Sequence, residues 1–430
     1  MNAPAVARPA LRTLPALATV LLLALPTGRW TLGGGQVAVA DLASAVLVGV
    51  CAALMARGPR PRPRRAAAVL AAPAVAFAAA TMASGDPAAS LTGFLRFLQV
   101  FVLVPLAVLL MLRDRRDFRL VALAVVALAA AQGAVGVVQY ATGTGASYLG
   151  QNVRAVGTFG PFNVMGMATV VSYGLIAALG LGLAPPRSAP RWWRPVLLGC
   201  AALFALPLAF SFSRGAWLAT AAAVLAVLLP VAFRLAPRTL LALLAGGALL
   251  VGGAAFGSGM VGDRLGSIGE VTGTPDQSVV DRYAMWDVAL AMWRAEPWTG
   301  TGPKGFAAHR DSHASLGLSA GSDTGGAGQE FRRQELTSPH NMYLLVLSEQ
   351  GLIGATALIG SWAALLAGCL VRLRRSRSPD VGLVATGLLV WQAVNFLYAD
   401  IGGPHTVLTA VVFGLAAWWA FAPGARRESP

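Results

Sequence analysis

The chain has 430 residues, of which 56% are hydrophobic and 12% charged, with a formal net charge of +15. Apolar runs recur from end to end, and a run of about 20 such residues crosses the hydrocarbon core as a helix. This composition excludes a soluble globule and reads as an all-α, polytopic integral membrane protein.

Hydropathy predicts about twelve spans, at 12–28, 35–56, 66–83, 91–112, 119–141, 160–184, 195–212, 215–233, 239–257, 341–371, 381–399 and 404–422. The first follows Arg8 and Arg12, but no small-residue cleavage site closes it, so it reads as a retained helix. Basic residues fill the alternate loops: Arg57 to Arg65, Arg113 to Arg119, "PPRSAPRWWR" and "RLRRSRSPD". The positive-inside rule then puts both termini in the cytoplasm. The chain divides into helices 1–9 over 1–257, a large external loop over 258–339, and helices 10–12 with a short cytoplasmic tail over 340–430.

The same distribution accounts for the net charge. Nucleic-acid binding would need a basic face or domain, and the long loop instead holds seven basic and ten acidic residues. Cys51, Cys200 and Cys369 lie far apart within spans, so neither a disulfide framework nor a Cys-based metal site is expected. The four histidines show no ligand spacing, and no metal or cofactor is expected. "GTGPKG" at 300–305 matches a dinucleotide fingerprint only superficially, because no strand precedes it and Pro303 interrupts it. No internal repeat of the transporter kind is evident.

The long loop contains one clear helix, "VVDRYAMWDVALAMWRAEP". At 100° per residue, Arg282, Trp286, Ala289 and Trp293 share a stripe, opposite Asp287 and Arg294. The expected placement is an amphipathic helix on the outer membrane face, with Arg282 among aromatic residues.

Three polar stretches stand at predicted outer helix ends. In "SPHNMYLLVLSEQGLIG", 338–354, Ser338 is a suitable N-cap and Pro339 suits the first turn. His340 then sits in that turn, where the helix dipole favours the neutral imidazole that a general base needs. From this segment alone it serves equally well as a base or a cap. Glu349 is expected about 13 Å deeper and half a turn away, as a structural residue. In "FSFSRGAWLA", 210–219, Ser213 caps a span that starts at Arg214. The arginine either binds an anion or snorkels to water. In "VRAVGTFGPFNVMG", 153–166, Arg154 and Asn163 flank a broken backbone that either places a span or touches a ligand. Asp41 and Arg96 are intramembrane charges whose spacing allows a pair across helices, in a packing role as often as a path.

Taken together and in order, these stretches resemble the O-antigen ligase and polymerase-like superfamily of bacterial envelope glycosyltransferases. "SFSRGAWLA", "RYAMWDVALAMWRAEPWTGTGPKGF", "SPHNMYLLVLSEQGLIG" and "GTFGPFNVMG" each resemble one of its elements, and the likeness covers roughly 140–360. The resemblance implies a GT-C-like membrane architecture in the inner membrane. It implies transfer of a glycan from an undecaprenyl-diphosphate donor to a glycan, lipid or protein acceptor, with neither metal nor nucleotide sugar. Carried over, Arg214 and Arg282 match arginines that hold the diphosphate, and His340 matches the acceptor-activating residue. Arg154, Asn163, Asn341 and Tyr343 are implied substrate contacts. A flippase for lipid-linked glycan is the alternative from another class, and a protein O-oligosaccharyltransferase is the alternative within the enzymes. A flippase predicts polar residues lining a path through the bilayer, whereas here they gather at helix ends.

Overall fold

The computed structural model describes residues 12–26, 30–32, 35–57, 64–148, 152–232, 277–314, 337–376 and 378–422. It is an all-α membrane bundle with two short antiparallel hairpins among the described residues. In chain order the elements are α1 (Leu14–Leu21), β1 (Trp30–Leu32), β2 (Gly35–Val37), α2 (Val39–Ala56), α3 (Arg64–Ala83) and α4 (Pro87–Met111). There follow α5 (Arg115–Thr142), β3 (Ala146–Tyr148), β4 (Asn152–Arg154), α6 (Val164–Leu183), α7 (Trp193–Phe210) and α8 (Arg214–Leu228). The described chain ends with α9 (Gln277–Ala295), α10 (Gly305–His313), α11 (Met342–Arg375), α12 (Asp380–Asn395) and α13 (Thr406–Phe421).

Seven of these helices are long and apolar enough to cross a membrane. Every predicted span falls on a helix except the ninth, 239–257, which lies outside the described residues. α6 is buried almost throughout and forms the centre of the bundle. At the end carrying the basic loops, the carboxylate of Asp380 is fully buried and accepts from Arg119 at 2.6 Å, with Arg115 at 3.7 Å. That network ties α5 to α12. The Asp41–Arg96 pair is present, joining α2 to α4.

α11 departs most from the sequence reading. Gly351 has φ 61° and ψ −165°, which breaks the helix into arms at 342–350 and 352–375. The ring of Tyr343 lies 5.8 Å from that of Trp362. In a straight helix those residues would stand about 28 Å apart. The two arms therefore fold back on each other, and the first is re-entrant. It starts deep, beside an aromatic cluster of Trp362, Phe396, Phe413 and Phe101, and rises about 13 Å to the turn. The expected relation is reversed: His340 lies deeper than Glu349. Asn341, not Ser338, is the N-cap, accepting from the backbone N–H groups of Tyr343 and Leu344 at 3.0 and 3.1 Å. His340 precedes the helix and has φ 48°, a left-handed conformation that no helical first turn allows.

A break inside a membrane bundle exposes backbone groups that lipid cannot satisfy. Here the segment Pro297 to Gly302 satisfies them. Thr301 and Gly302 N–H donate to Ser348 and Glu349 C=O, at 3.1 and 2.7 Å. Leu352 and Ile353 N–H donate to Pro297 and Trp298 C=O, at 2.9 and 3.2 Å. The Glu349 carboxylate, 3% exposed, accepts from Phe306 N–H in the first turn of α10. It is structural, as expected, although its partner is a loop helix. "GTGPKG" is thus a docked turn with no dinucleotide role in this packing.

α9 runs beside the first arm. Its middle is fixed by Trp286 Nε1 donating to Pro339 C=O at 3.0 Å. Its buried stripe is Met285, Val288, Ala289 and Met292, with Arg282 one turn earlier, and Asp287 and Arg294 exposed on the far side. The stripe faces protein, because the re-entrant arm offers an apolar flank that the sequence did not advertise.

A Cβ at Gly351 would stand 2.3 Å from the Trp298 backbone, on top of its positive φ. Gly351→Ala is expected to lose folded protein, since strain alone costs about 1–3 kcal/mol. Gly360→Ala, in the same helix with open space at its Cβ, is expected to leave stability unchanged or raise it by up to about 1 kcal/mol. Thermal unfolding followed by size-exclusion chromatography checks both; equal melting of the two variants contradicts the docked-turn account.

Candidate active site

The polar groups converge where α8, α12 and α13 begin or end and the first arm of α11 reaches its base. Arg214 is the first residue of α8. Ser213 caps that helix, its Oγ accepting from Ala216 N–H at 3.3 Å. The turn before it is held from the side. Ala155 N–H donates to Phe210 C=O at 3.0 Å, and Arg154 donates to Phe212 C=O at 3.3 Å. Phe212 itself has φ 50°. Arg154 thus holds the turn that presents Arg214.

Arg282 comes from α9. Its guanidinium is pushed down from the ordinary arginine value by burial first, then by the like charge of Arg214, while Asp400 opposes the shift. Arg214 and Asp400 are therefore both within electrostatic reach of Arg282. Asp400, in the turn after α12, was not anticipated from sequence. Burial pushes its carboxyl up, and the charges of His340 and Arg282 pull it back. The Ser338 hydroxyl donates to the same carboxylate, and Ser338 Oγ accepts from His340 N–H at 3.1 Å. Ser338 thereby holds both the acid and the left-handed backbone of His340, whose side chain is exposed to the recess.

The remaining expected contacts serve the frame. Asn341 is the N-cap, and Met342 N–H donates to Phe396 and Ala399 C=O. The Tyr343 hydroxyl donates to Ala393 C=O at 2.7 Å, pinning the re-entrant arm to α12. Asn163 lies one turn away along the α12–α13 connection: its Nδ2 donates to Phe159 C=O at 3.2 Å, and its Oδ1 faces Gly403. The structure thus brings Arg282 and His340 within electrostatic reach of Asp400, and Arg214 within reach of Arg282. It gives Arg154, Asn341 and Tyr343 positioning contacts and sets Asn163 to one side. The signal for Asp400 was "YADIGGPH", an acid in a Gly/Pro turn between two spans, on the same side as His340. Among the described residues there is no group of three or more His, Cys, Asp or Glu that could hold a metal ion.

The fold and this recess define a polytopic membrane protein with a cationic polar site at one end of its helices. Residues 198–359 match a family model described as O-antigen ligase. The matched stretch, less than half of the chain, is similar to that family and supports an O-antigen ligase-like reading. It also supports a cell-envelope polysaccharide ligase- or polymerase-type function in a membrane. The matched stretch contains Arg214, Arg282 and His340, and stops short of Asp400. No curated protein matches the chain.

The raised Asp400 carboxyl carries a stability cost with a definite sign. A folded-state value above the unfolded one means that the folded protein binds more protons in that interval, so stability falls as pH rises through it. The interval begins near the ordinary value of 3.8 and extends upward. Asp400→Asn is expected to flatten this part of the melting temperature–pH curve and to melt no lower than the parent at neutral pH. A variant that melts lower at neutral pH would show the carboxylate to be a net stabiliser instead.

Proposed function

We propose that the chain transfers a glycan from an undecaprenyl-diphosphate donor to an acceptor hydroxyl, as an O-antigen ligase- or polymerase-like enzyme of the cell envelope. The observation that carries this reading is the pair Arg214 and Arg282, held close enough to oppose each other's charge. Two arginines this close favour a ligand with two or more negative charges. A diphosphate has that charge, and arginine forks suit it better than lysine.

In this reading the arginines grip the diphosphate and stabilise the charge that grows as the anomeric C–O bond breaks. His340, neutral, accepts the proton of the acceptor hydroxyl as its oxygen bonds to the anomeric carbon. The bonding pair leaves with the diphosphate. Asp400 touches neither substrate; it holds Ser338 and offsets the imidazolium that forms. The recess lies beside lipid-facing helices, which suits a donor with a polyprenyl tail. The external segment 258–339 supplies Arg282, and the loop 306–335 is where acceptor choice is proposed to lie. We place this end outside the cell and both termini in the cytoplasm, on the basic loops at the other end.

Arg282→Ala is expected to lower transfer by about two to three decades, and His340→Ala by about two to four, at normal membrane levels. Arg214→Lys should recover only part of the activity, because the bidentate fork is lost. The assay is transfer by purified protein from lipid-linked glycan, with EDTA present to test the metal-free mechanism. Near-normal transfer by His340→Ala would make the histidine a backbone element only. For orientation, a cysteine placed at position 320 should react with an impermeant thiol reagent in intact cells, while one at position 60 should not; the reverse pattern overturns the topology.

A further inference from the structure

Beside the arginine site, the α12–α13 turn bears a second polar arrangement that the mechanism leaves unused. We propose that Asn163, Gly403 and His405, with Thr169 and Asn395 beneath them, form an uncharged subsite that takes a hydroxyl of the sugar joined to the diphosphate. The proposal rests on the function proposed above and extends it from the leaving group to the glycan.

The first observation is a cradle. Gly403 has φ 73°, and the point where its Cβ would stand lies 2.6 Å from Asn163 Oδ1 and 3.3 Å from His405 Nδ1. Two polar atoms from different elements thus converge on one spot that only glycine leaves open. Asn163, Gly403 and His405 are each partly exposed as residues, although His405 Nδ1 itself is buried.

The second observation is independent of the first. Tyr173, Gln392 and Thr409 form a buried hydrogen-bonded triad across α6, α12 and α13, with Tyr173 and Thr409 hydroxyls 3.3 Å apart and both bonded to Gln392 Oε1. One helical turn nearer the site, on the same three helices, stand Thr169, Asn395 and His405. Each has a buried polar atom with no hydrogen-bond partner: Thr169 Oγ1, Asn395 Oδ1 and His405 Nδ1. Thr169 is 1% and Asn395 5% exposed. A buried polar atom without a partner costs about 1–3 kcal/mol, and three on one layer call for a common ligand.

The chemistry of the layer selects that ligand. Arg96 and Asp41, beside it, are paired with each other, Arg96 is further committed to Gln99 Oε1 and Gly403 C=O, and Asp400 is bonded to Ser338. No free charge is offered to a phosphate, and Arg96 repels a cation. Amide oxygens, a threonine hydroxyl and an imidazole nitrogen suit O–H groups, which both donate and accept. Position agrees. Gly403 lies three residues from Asp400, and a sugar attached to a diphosphate held at Arg214 and Arg282 extends over a comparable distance. Water offers the same chemistry, so the test must separate it from sugar.

The test measures affinity of purified wild-type and variant protein for bare undecaprenyl diphosphate and for the same lipid bearing its glycan. His405→Phe and Thr169→Val are expected to weaken binding of the glycan form about tenfold, the worth of one hydrogen bond, and to leave the bare lipid unchanged. His405→Asn, which keeps a hydrogen-bonding atom near the place of Nδ1, should recover most of the loss. Arg282→Ala should weaken both lipids alike. Variants that bind both lipids as the wild type does would leave the niche to water and overturn the subsite. If Arg282→Ala binds both lipids normally, the proposed function fails instead, independently of the niche.

Discussion

The constraint on which the rest depends is that a broken helix in a membrane must find partners for its freed backbone groups. α11 breaks at Gly351, and four backbone hydrogen bonds from Pro297 to Gly302 close the gap. Those bonds are reciprocal, with two donors and two acceptors on each side, so neither segment holds its shape without the other. The packing permits no side chain at the junction: a Cβ on Gly300 would stand 2.4 Å from Gln350 N, and one on Gly302 would meet Ser84 and Ser90 at 2.4 and 2.5 Å. A turn from the long loop is thereby built into the bundle, wedged between α3, α4 and α11.

Everything functional follows from the direction this imposes. Because the first arm of α11 rises toward Gly351, its base is sunk into the bundle, and α9 runs alongside it. Trp286 and Pro339 join the middle of α9 to the base of the arm, beside Arg282 and His340 respectively. Two residues separated by most of a long polar loop are thus set by one rigid pair of helices. Arg282 is largely withdrawn from water there and is opposed by the like charge of Arg214, with Asp400 offsetting it.

How much of this was legible in the sequence depends on range. Spans were legible because hydropathy is a local sum, and the cap at Ser213 is local as well. The Asp41–Arg96 pair was one reading, from the cost of leaving either charge alone. The reversal of α11 was not legible: "EQGLIG" contains a glycine that a helix tolerates, and only contact with "WTGTG" shows that its φ is positive. The error propagated. A straight helix put Glu349 below His340, made Ser338 the cap, and left the amphipathic helix with nothing but lipid to face. Asp400 was missed for a related reason. An acid in a turn is unremarkable in sequence, and its meaning comes from Ser338, His340 and Arg282 arriving from two other segments.

The stretch "SPHNMY" shows how the site divides its labour. Ser338 bonds Asp400 and the His340 backbone, Pro339 anchors Trp286, Asn341 caps the arm, and Tyr343 pins it to α12. Ser338, Pro339, Asn341 and Tyr343 each make contacts that fix the setting of His340, the third residue. His340 alone is left with its side chain exposed, on a left-handed backbone that costs free energy to maintain. A residue needed only as a cap would not be held this way, because Asn341 already does the capping. In the proposed function this backbone sets the ring at one place relative to the arginines.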